Sequence, residues 1–185
     1  MAETSDEDLI WAVSEGEVAP LGVLFERHHA RVHALCYRLT RQADVADDLA
    51  QETMLRVLRY ASSYRRDSAF TTWLYRLAYN VCHDHWRKSR RDELTTDLSE
   101  AQGVVAYDSD ERIDERHALL EEAMQRLAPE RRAVLVLSRY NDLGYDDIAR
   151  VLECTPAAAR VRAHRALNEL REIYRELERR QRNVR

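Results

Sequence analysis

The chain has 185 residues, enough for one ordinary domain or two small ones. With Gly 4 and Pro 3 it holds too few turn-formers for a strand-rich fold, and no apolar run approaches the roughly 18 residues of a membrane span. A net charge of −4 argues against a nucleic-acid binder until the charge is located: residues 1–17 and 92–116 hold 15 of the 33 acids, and the rest carries 18 acids against 27 bases. Lys88 is the sole lysine, so the basicity is nearly all Arg, whose planar donor fork suits phosphate and guanine. Three Cys without a cleavable hydrophobic leader fit a reducing cytoplasm.

In chain order, Thr4-x-x-Glu7 and Ser5-x-x-Asp8 both read as helix starts, with Leu9, Ile10 and Val13 on one side and Gly16 as the stop. Pro20 sits where a first-turn proline belongs. From there Leu21, Leu24, His28, Val32, Leu35 and Leu39 step by three and four to Thr40, predicting a long amphipathic helix. His29 and His33 lie one turn apart with Cys36 nearby, but no second ligand pair of familiar spacing joins them, so neither a metal site nor a cofactor is expected. A third helix begins at Asp44 or Asp47, with Ala46, Leu49, Ala50, Thr53, Met54, Val57 and Ala61 inside and Asp44, Asp47, Asp48, Gln51 and Glu52 outside. Acids near a helix start are favourable for dipole reasons alone. Residues 62–69 form a polar loop carrying Arg65 and Arg66.

The run from Phe70 to Arg91 reads as one helix with two stripes. Phe70, Leu74, Leu77, Ala78 and Val81 form an apolar one; Trp73, Arg76, Asn80, Asp84 and Arg87 recur at the same spacing beside it and are expected to face outward. Arg87, Lys88, Arg90 and Arg91 then end the pattern. Cations at a helix end complement the backbone dipole, which is one reading. The other is nucleic acid, because aromatics stack on unpaired bases, Arg and Lys hold phosphates, and Asn can read a base edge. Residues 92–114 lose apolar periodicity and read as a flexible acidic linker, either a plain tether or a mimic of nucleic-acid charge.

Helical spacing resumes from Glu115 to Leu127 and stops at Ala128-Pro129. Pro129 opens a helix, with Val134, Leu135 and Leu137 in its pattern, that runs to Tyr140. Tyr145 to Leu152 is a short helix with Ile148, Ala149 and Leu152 inward, and Thr155-Pro156 caps a last helix through Leu170 and on to Leu177. Short helix, tight turn and longer helix make a helix-turn-helix, whose second helix enters the major groove. Ala159, Ala163, Ala166, Leu167 and Leu170 pack inward; Arg160, Val161, His164, Arg165 and Asn168 face out.

Three stretches carry a family resemblance. DSAFTTWLYRLAYNVCHDHWRKSRR (67–91) is similar to the minus-ten-reading segment of bacterial RNA polymerase sigma factors of the extracytoplasmic-function type. DDLAQETMLRVL (47–58) resembles that family's main docking helix for the polymerase clamp. LAPERRAVLVLSRYNDLGYDDIARVLECTPAAARVRAHRALNELRE (127–172) resembles its minus-thirty-five-reading domain. The likeness covers about residues 19–91 and 116–172. It implies an all-α chain of two small helical domains: residues 1–91 for polymerase docking and minus-ten recognition, and 115–185 with the helix-turn-helix, joined by the linker at 92–114. It further implies that Asp47, Asp48, Gln51 and Glu52 meet the beta-prime clamp, with the beta flap as a second polymerase contact. Arg65, Arg66, Trp73, Arg76, Asn80, Asp84, Arg87, Lys88, Arg90 and Arg91 would meet the minus-ten element, the loop helping to form a pocket for a flipped base. Thr155, Arg160, Val161, Arg162, His164 and Arg165 would meet the minus-thirty-five element. An anti-sigma factor is the expected regulator, and no catalysis is expected.

The chain departs from the pattern in two places. Gly144 stands where a capping Ser is common, and Ala158-Ala159-Arg160-Val161-Arg162 replaces a Thr-Val-Lys-Ser-Arg-like run. Two other readings compete. A sigma mimic that sequesters an anti-sigma factor would be expected to lose the basic and aromatic faces. An enzyme built on Cys82, His83, Asp84 and His85 would need side chains that converge, and neighbours on a helix diverge.

Overall fold

The computed structural model describes residues 4–95, 111–141 and 143–184, and among these every regular element is helical. The helices are α1 (Asp6–Ser14), α2 (Ala19–Thr40), α3 (Ala43–Tyr60), α4 (Phe70–Thr95), α5 (Glu111–Arg126), α6 (Pro129–Tyr140), α7 (Tyr145–Val151) and α8 (Pro156–Val184), with a single 3-10 turn at Ala61–Ser63. None is long and apolar enough to cross a membrane among the described residues. α4 continues to Thr95 and α5 begins at Glu111, so both ends of the expected linker at 92–114 are helical. The stretch between lies outside the described residues.

Local chemistry sets the helix ends. Ser5 Oγ accepts from the Asp8 N–H at 3.2 Å, and three acids fill the first turn of α1. Gly16 follows with φ 100°, a left-handed conformation that favours glycine. Pro20 and Pro129 occupy first turns, and Thr155 Oγ1 accepts from the Ala158 N–H at 3.1 Å to cap α8. Gly144 precedes α7 with extended backbone and no side chain to cap it.

α1 to α4 form the first unit. Leu24, Val32, Leu35 and Leu39 of α2 and Ala46, Ala50 and Val57 of α3 close around Phe70, Leu74, Ala78 and Val81 of α4. The buried stripe of α4 is rotated from the expected one: Tyr75 and Cys82 are also inside, whereas Leu77 is only half-buried. Trp73 is likewise half-buried rather than outward, because Tyr64 comes up from the preceding loop to cover it.

α5 to α8 form the second unit, in which α8 packs on α5, α6 and α7 and α6 is the most enclosed. Residues 133–137 are all buried, a pattern that requires cover on every side. α8 and α7 cover part of α6, and α2 of the first unit covers another part. The two units are therefore docked. Arg132 of α6, only 8% exposed, donates from Nη1 to the Leu39 carbonyl at the end of α2 (2.8 Å). Its remaining donors reach the carbonyls of Met124 (2.9 Å), Gln125 (2.7 Å) and Leu127 (3.3 Å) at the end of α5. Burial, with Arg41 nearby, lowers its pKa to about 10, which leaves it cationic at neutral pH. A cation at two helix C-termini faces the negative ends of both dipoles. Beside it Arg41 pairs with Glu121 at 2.6 Å.

Candidate nucleic-acid interface

The first surface is the outer face of α3. Asp48 and Gln51 are exposed, Asp47 lies 3.1 Å from His33 Nε2, and Glu52 pairs with Arg56 at 3.0 Å. Leu55 and Leu58, 57% and 44% exposed, extend the same face by one and two turns. Motif matching alone gives these two leucines no role. Their signal lies in the spacing: both are out of register with the inner stripe of Leu49, Met54 and Val57. Acids and an amide beside unpartnered apolar side chains suit a protein partner more than nucleic acid.

The second surface is built by α4 and the loop before it. Tyr64, Phe70 and Trp73 form an aromatic cluster. Tyr64 meets Trp73 edge-on at 5.5 Å between ring centroids, and Phe70 lies 5.9 Å from Trp73. The Tyr64 hydroxyl donates to the Ser68 carbonyl at 2.9 Å and so holds the loop in a closed turn. Burial raises this phenol above its usual range, with a further push from the Glu7 charge. One exposed edge of the cluster borders a cleft of about 380 Å³ lined by Arg65, Asp67, Ser68, Thr72, Trp73 and Arg150. Arg65 faces this cleft; Arg66 turns away to Asp8 of α1 at 2.7 Å and lies over the Trp11 ring at 6.0 Å.

Further along α4, Asn80 is half-buried and Arg76 exposed. Asp84 accepts from Arg56 at 3.0 Å and Arg87 at 3.2 Å. An acid held by two cations is their counter-charge. Arg87, Lys88, Arg90 and Arg91 are exposed. Because α4 runs on to Thr95 with no basic residue in its last turn, these cations are not C-terminal caps, and the dipole reading fails. The cluster Cys82, His83, Asp84 and His85 does not form a nucleophile. Cys82 is buried against Cys36, whose hydrogen bond together with burial raises the thiol well above its usual value. Among the described residues no three His, Cys, Asp or Glu side chains gather to hold a metal. His29 stacks on His33 and meets the Phe25 ring at a tilt, while Cys36 is buried.

The third surface is the start of α8. Ala159, Ala163 and Ala166 are buried, which turns Arg160, Val161, His164 and Arg165 outward. Val161 is 48% exposed. Arg160 lies over the Tyr145 ring of α7 at 5.3 Å, which fixes its direction without neutralising it. His164 is within 3.4 Å of Asn168. Arg162 is exposed on the side that approaches Tyr79 of α4. Burial, with Glu130 across the seam, raises the Tyr79 phenol. α7 also lies over α4: Thr72 Oγ1, on a residue 3% exposed, donates to Asp147 at 3.1 Å, and Arg76 reaches Glu153 at 3.4 Å. The cleft beside Trp73 is thus walled by α7 through Arg150.

Comparisons with known proteins agree with this layout. Residues 24–92 match the family described as Sigma-70 region 2, and residues 117–170 match Sigma-70, region 4. The chain is 36% identical over 158 residues to the RNA polymerase sigma factor CarQ of Myxococcus xanthus, covering 84% of this chain and 89% of the relative. It is 32% identical over 164 residues to the ECF RNA polymerase sigma factor SigM of Mycobacterium tuberculosis, covering 89% and 82%. In fold it is similar to the sigma factor RpoE in complex with the anti-sigma factor NepR from Bartonella quintana, with a TM-score of 0.71, 20% identity, and 85% and 98% of the two chains covered. It is also similar to CnrH in complex with the cytosolic domain of CnrY, with a TM-score of 0.66, 21% identity, and 92% and 97% covered.

Proposed function

Because this chain belongs to the sigma-70 family, as a sigma factor of the extracytoplasmic-function type, we propose that it docks on core RNA polymerase through α3 and directs promoter recognition in the cytoplasm through α4 and α8. Sigma factors initiate transcription and are not enzymes; the chemistry belongs to the polymerase. The observation that carries the reading is the presence, in one chain and in this order, of an aromatic–arginine cleft on α4 and a helix-turn-helix whose Arg160, Val161 and Arg165 face outward.

The roles follow from the surfaces. Asp47, Asp48, Gln51 and Glu52, with Leu55 and Leu58, meet the beta-prime clamp, and the beta flap contacts the second unit. Trp73, Arg76 and Asn80 engage the opened minus-ten strand, with a base in the cleft, and Arg87, Lys88, Arg90 and Arg91 track its phosphates. Arg160 and Arg165 read guanines of the upstream element, while Val161 suits a thymine methyl. Since α7 stands over this cleft, the two units separate when polymerase binds. Run-off transcription with purified core polymerase and a promoter library tests the whole reading: selective initiation supports it, and no initiation from any promoter refutes it. Asp48→Arg with Gln51→Arg should abolish core binding and leave helicity intact; normal affinity in a pull-down sinks the docking assignment.

An anti-sigma factor holds the protein inactive. The complexes of RpoE with NepR and of CnrH with CnrY support this reading. A small stoichiometric partner should co-purify from native cells, and full activity at native expression in unstressed cells counts against it. The alternative, a mimic that only sequesters an anti-sigma factor, has no use for Arg160 oriented by Tyr145.

A further inference from the structure

The acidic start of the chain lies before residues 24–92, the segment that matches Sigma-70 region 2. The structure gives three of its acids internal work. Asp6 ties α1 to α2, accepting from Arg27 at 2.8 Å and lying 2.6 Å from His28 Nε2, while Leu9, Ile10 and Val13 seal the contact. Glu7 accepts the N–H of Phe70 at 3.2 Å. That N–H opens α4, where Ala69, the residue before it, has no side-chain acceptor and the first turn has no acid. Glu7 therefore caps α4 from another helix. Asp8 takes Arg66 at 2.7 Å, and Trp11 lies under the same guanidinium.

We propose that α1 is a positioning element for minus-ten recognition: Glu7 and Asp8 pin the two ends of the loop segment 66–70 so that Arg65, Asp67 and Ser68 face the base cleft beside Trp73. The inference rests on the minus-ten reading of that cleft. Two consecutive arginines then have different tasks. Arg66 is spent on α1 and orients the loop, which leaves Arg65 to meet the strand. The Tyr64–Ser68 hydrogen bond closes the turn that carries both arginines. Geometry of this kind bears on selection, because a site held about an ångström too loosely by its supporting residues loses function.

The test uses holoenzyme reconstituted from core polymerase and the full chain, bound to promoter DNA randomised over the minus-ten element. Glu7→Ala should flatten minus-ten selection by roughly three- to tenfold, the size of a lost helix cap, and Asp8→Ala, which removes an exposed ion pair, should flatten it in the same direction by less. Glu7→Gln, which keeps an acceptor for the Phe70 N–H, should retain it. Core affinity and upstream selection should stay at wild-type values in all three, and amide exchange should quicken in residues 66–70 of the alanine variants. Wild-type holoenzyme that selects no minus-ten sequence refutes the underlying reading and this inference with it. If wild type selects and both alanine variants select as sharply, only the role of α1 is overturned. That role is equally overturned if the alanine variants weaken upstream selection to the same degree, or if Glu7→Gln behaves as Glu7→Ala.

Discussion

The start of α8 and the outer face of α4 are the two faces proposed to meet DNA, yet one is open and the other covered. On α8 a row of buried alanines turns Arg160, Val161 and Arg165 into solvent, and Tyr145 steadies the first of them. On α4 the aromatic edge is half-buried in its own unit, Thr72 is sealed by Asp147, and Arg150 walls the cleft. The contrast follows the chemistry of the two targets. A duplex major groove accepts a rigid helix as it stands. Unpaired bases would need an apolar, aromatic surface, and such a surface gains from being covered in water.

Substitutions on the two faces put this contrast at risk. The largest effect is expected in the core beneath the covered face. Leu74→Ala, at a site 1% exposed, should cost about 2–5 kcal/mol in a urea melt. Trp73→Ala should cost about 2 kcal/mol through its lost ring contacts with Tyr64 and Phe70, in addition to impairing promoter opening. A variant with unchanged stability would show that Trp73 packs on nothing of consequence. On the open face, Arg160→Ala should leave the melt unchanged and lose about 1–3 kcal/mol of upstream discrimination. Equal weakening on every sequence would reassign Arg160 to a phosphate.

The cover comes next. Asp147→Arg combined with Glu121→Arg removes two partly exposed polar contacts of the seam, worth about 1 kcal/mol or less each. Small-angle scattering should report a larger radius, and single-stranded minus-ten DNA should bind the free chain more tightly. An unchanged radius would place the holding energy in apolar packing around α6. The smallest effect concerns Gly144. Its backbone is extended, and a Cβ there would meet nothing nearer than Asp147 Oδ2 at 4.0 Å. Gly144→Ser should therefore cap α7 and stabilise the second unit by a few tenths of a kcal/mol, about 1–2 °C in Tm.

Much of this is legible in the amino-acid order. Ser5, Pro20, Pro129 and Thr155 mark helix starts because caps and first-turn prolines act locally. The alanine row of α8 identifies its outward face because no competing stripe exists. α4 is harder. Three-and-four spacing fits adjoining faces nearly equally, and the choice between Leu77 and Tyr75 falls to the helices packed against it. Spacing puts Trp73 outward because the residue that covers it, Tyr64, belongs to a loop. The docking of the two units has one trace, the unbroken apolar run at 133–137. Val134, Leu135 and Leu137 fit an ordinary helix pattern, yet none of the five residues is left for solvent. Arg132 leaves no trace, since its partners are main-chain carbonyls.

That choice of partner has an evolutionary consequence. A side-chain pair across a seam is lost when either member mutates, and restoring it needs a matched second change. Arg132 is addressed to the carbonyl of position 39, a group that every amino acid presents. Residue 39 is free to drift among side chains that fill its core site without loosening the latch. The burden of inheritance falls on one codon. A lysine there would keep the charge but not a planar fork able to serve two helix ends at once, so the contact should tolerate substitution broadly on one side and hardly at all on the other.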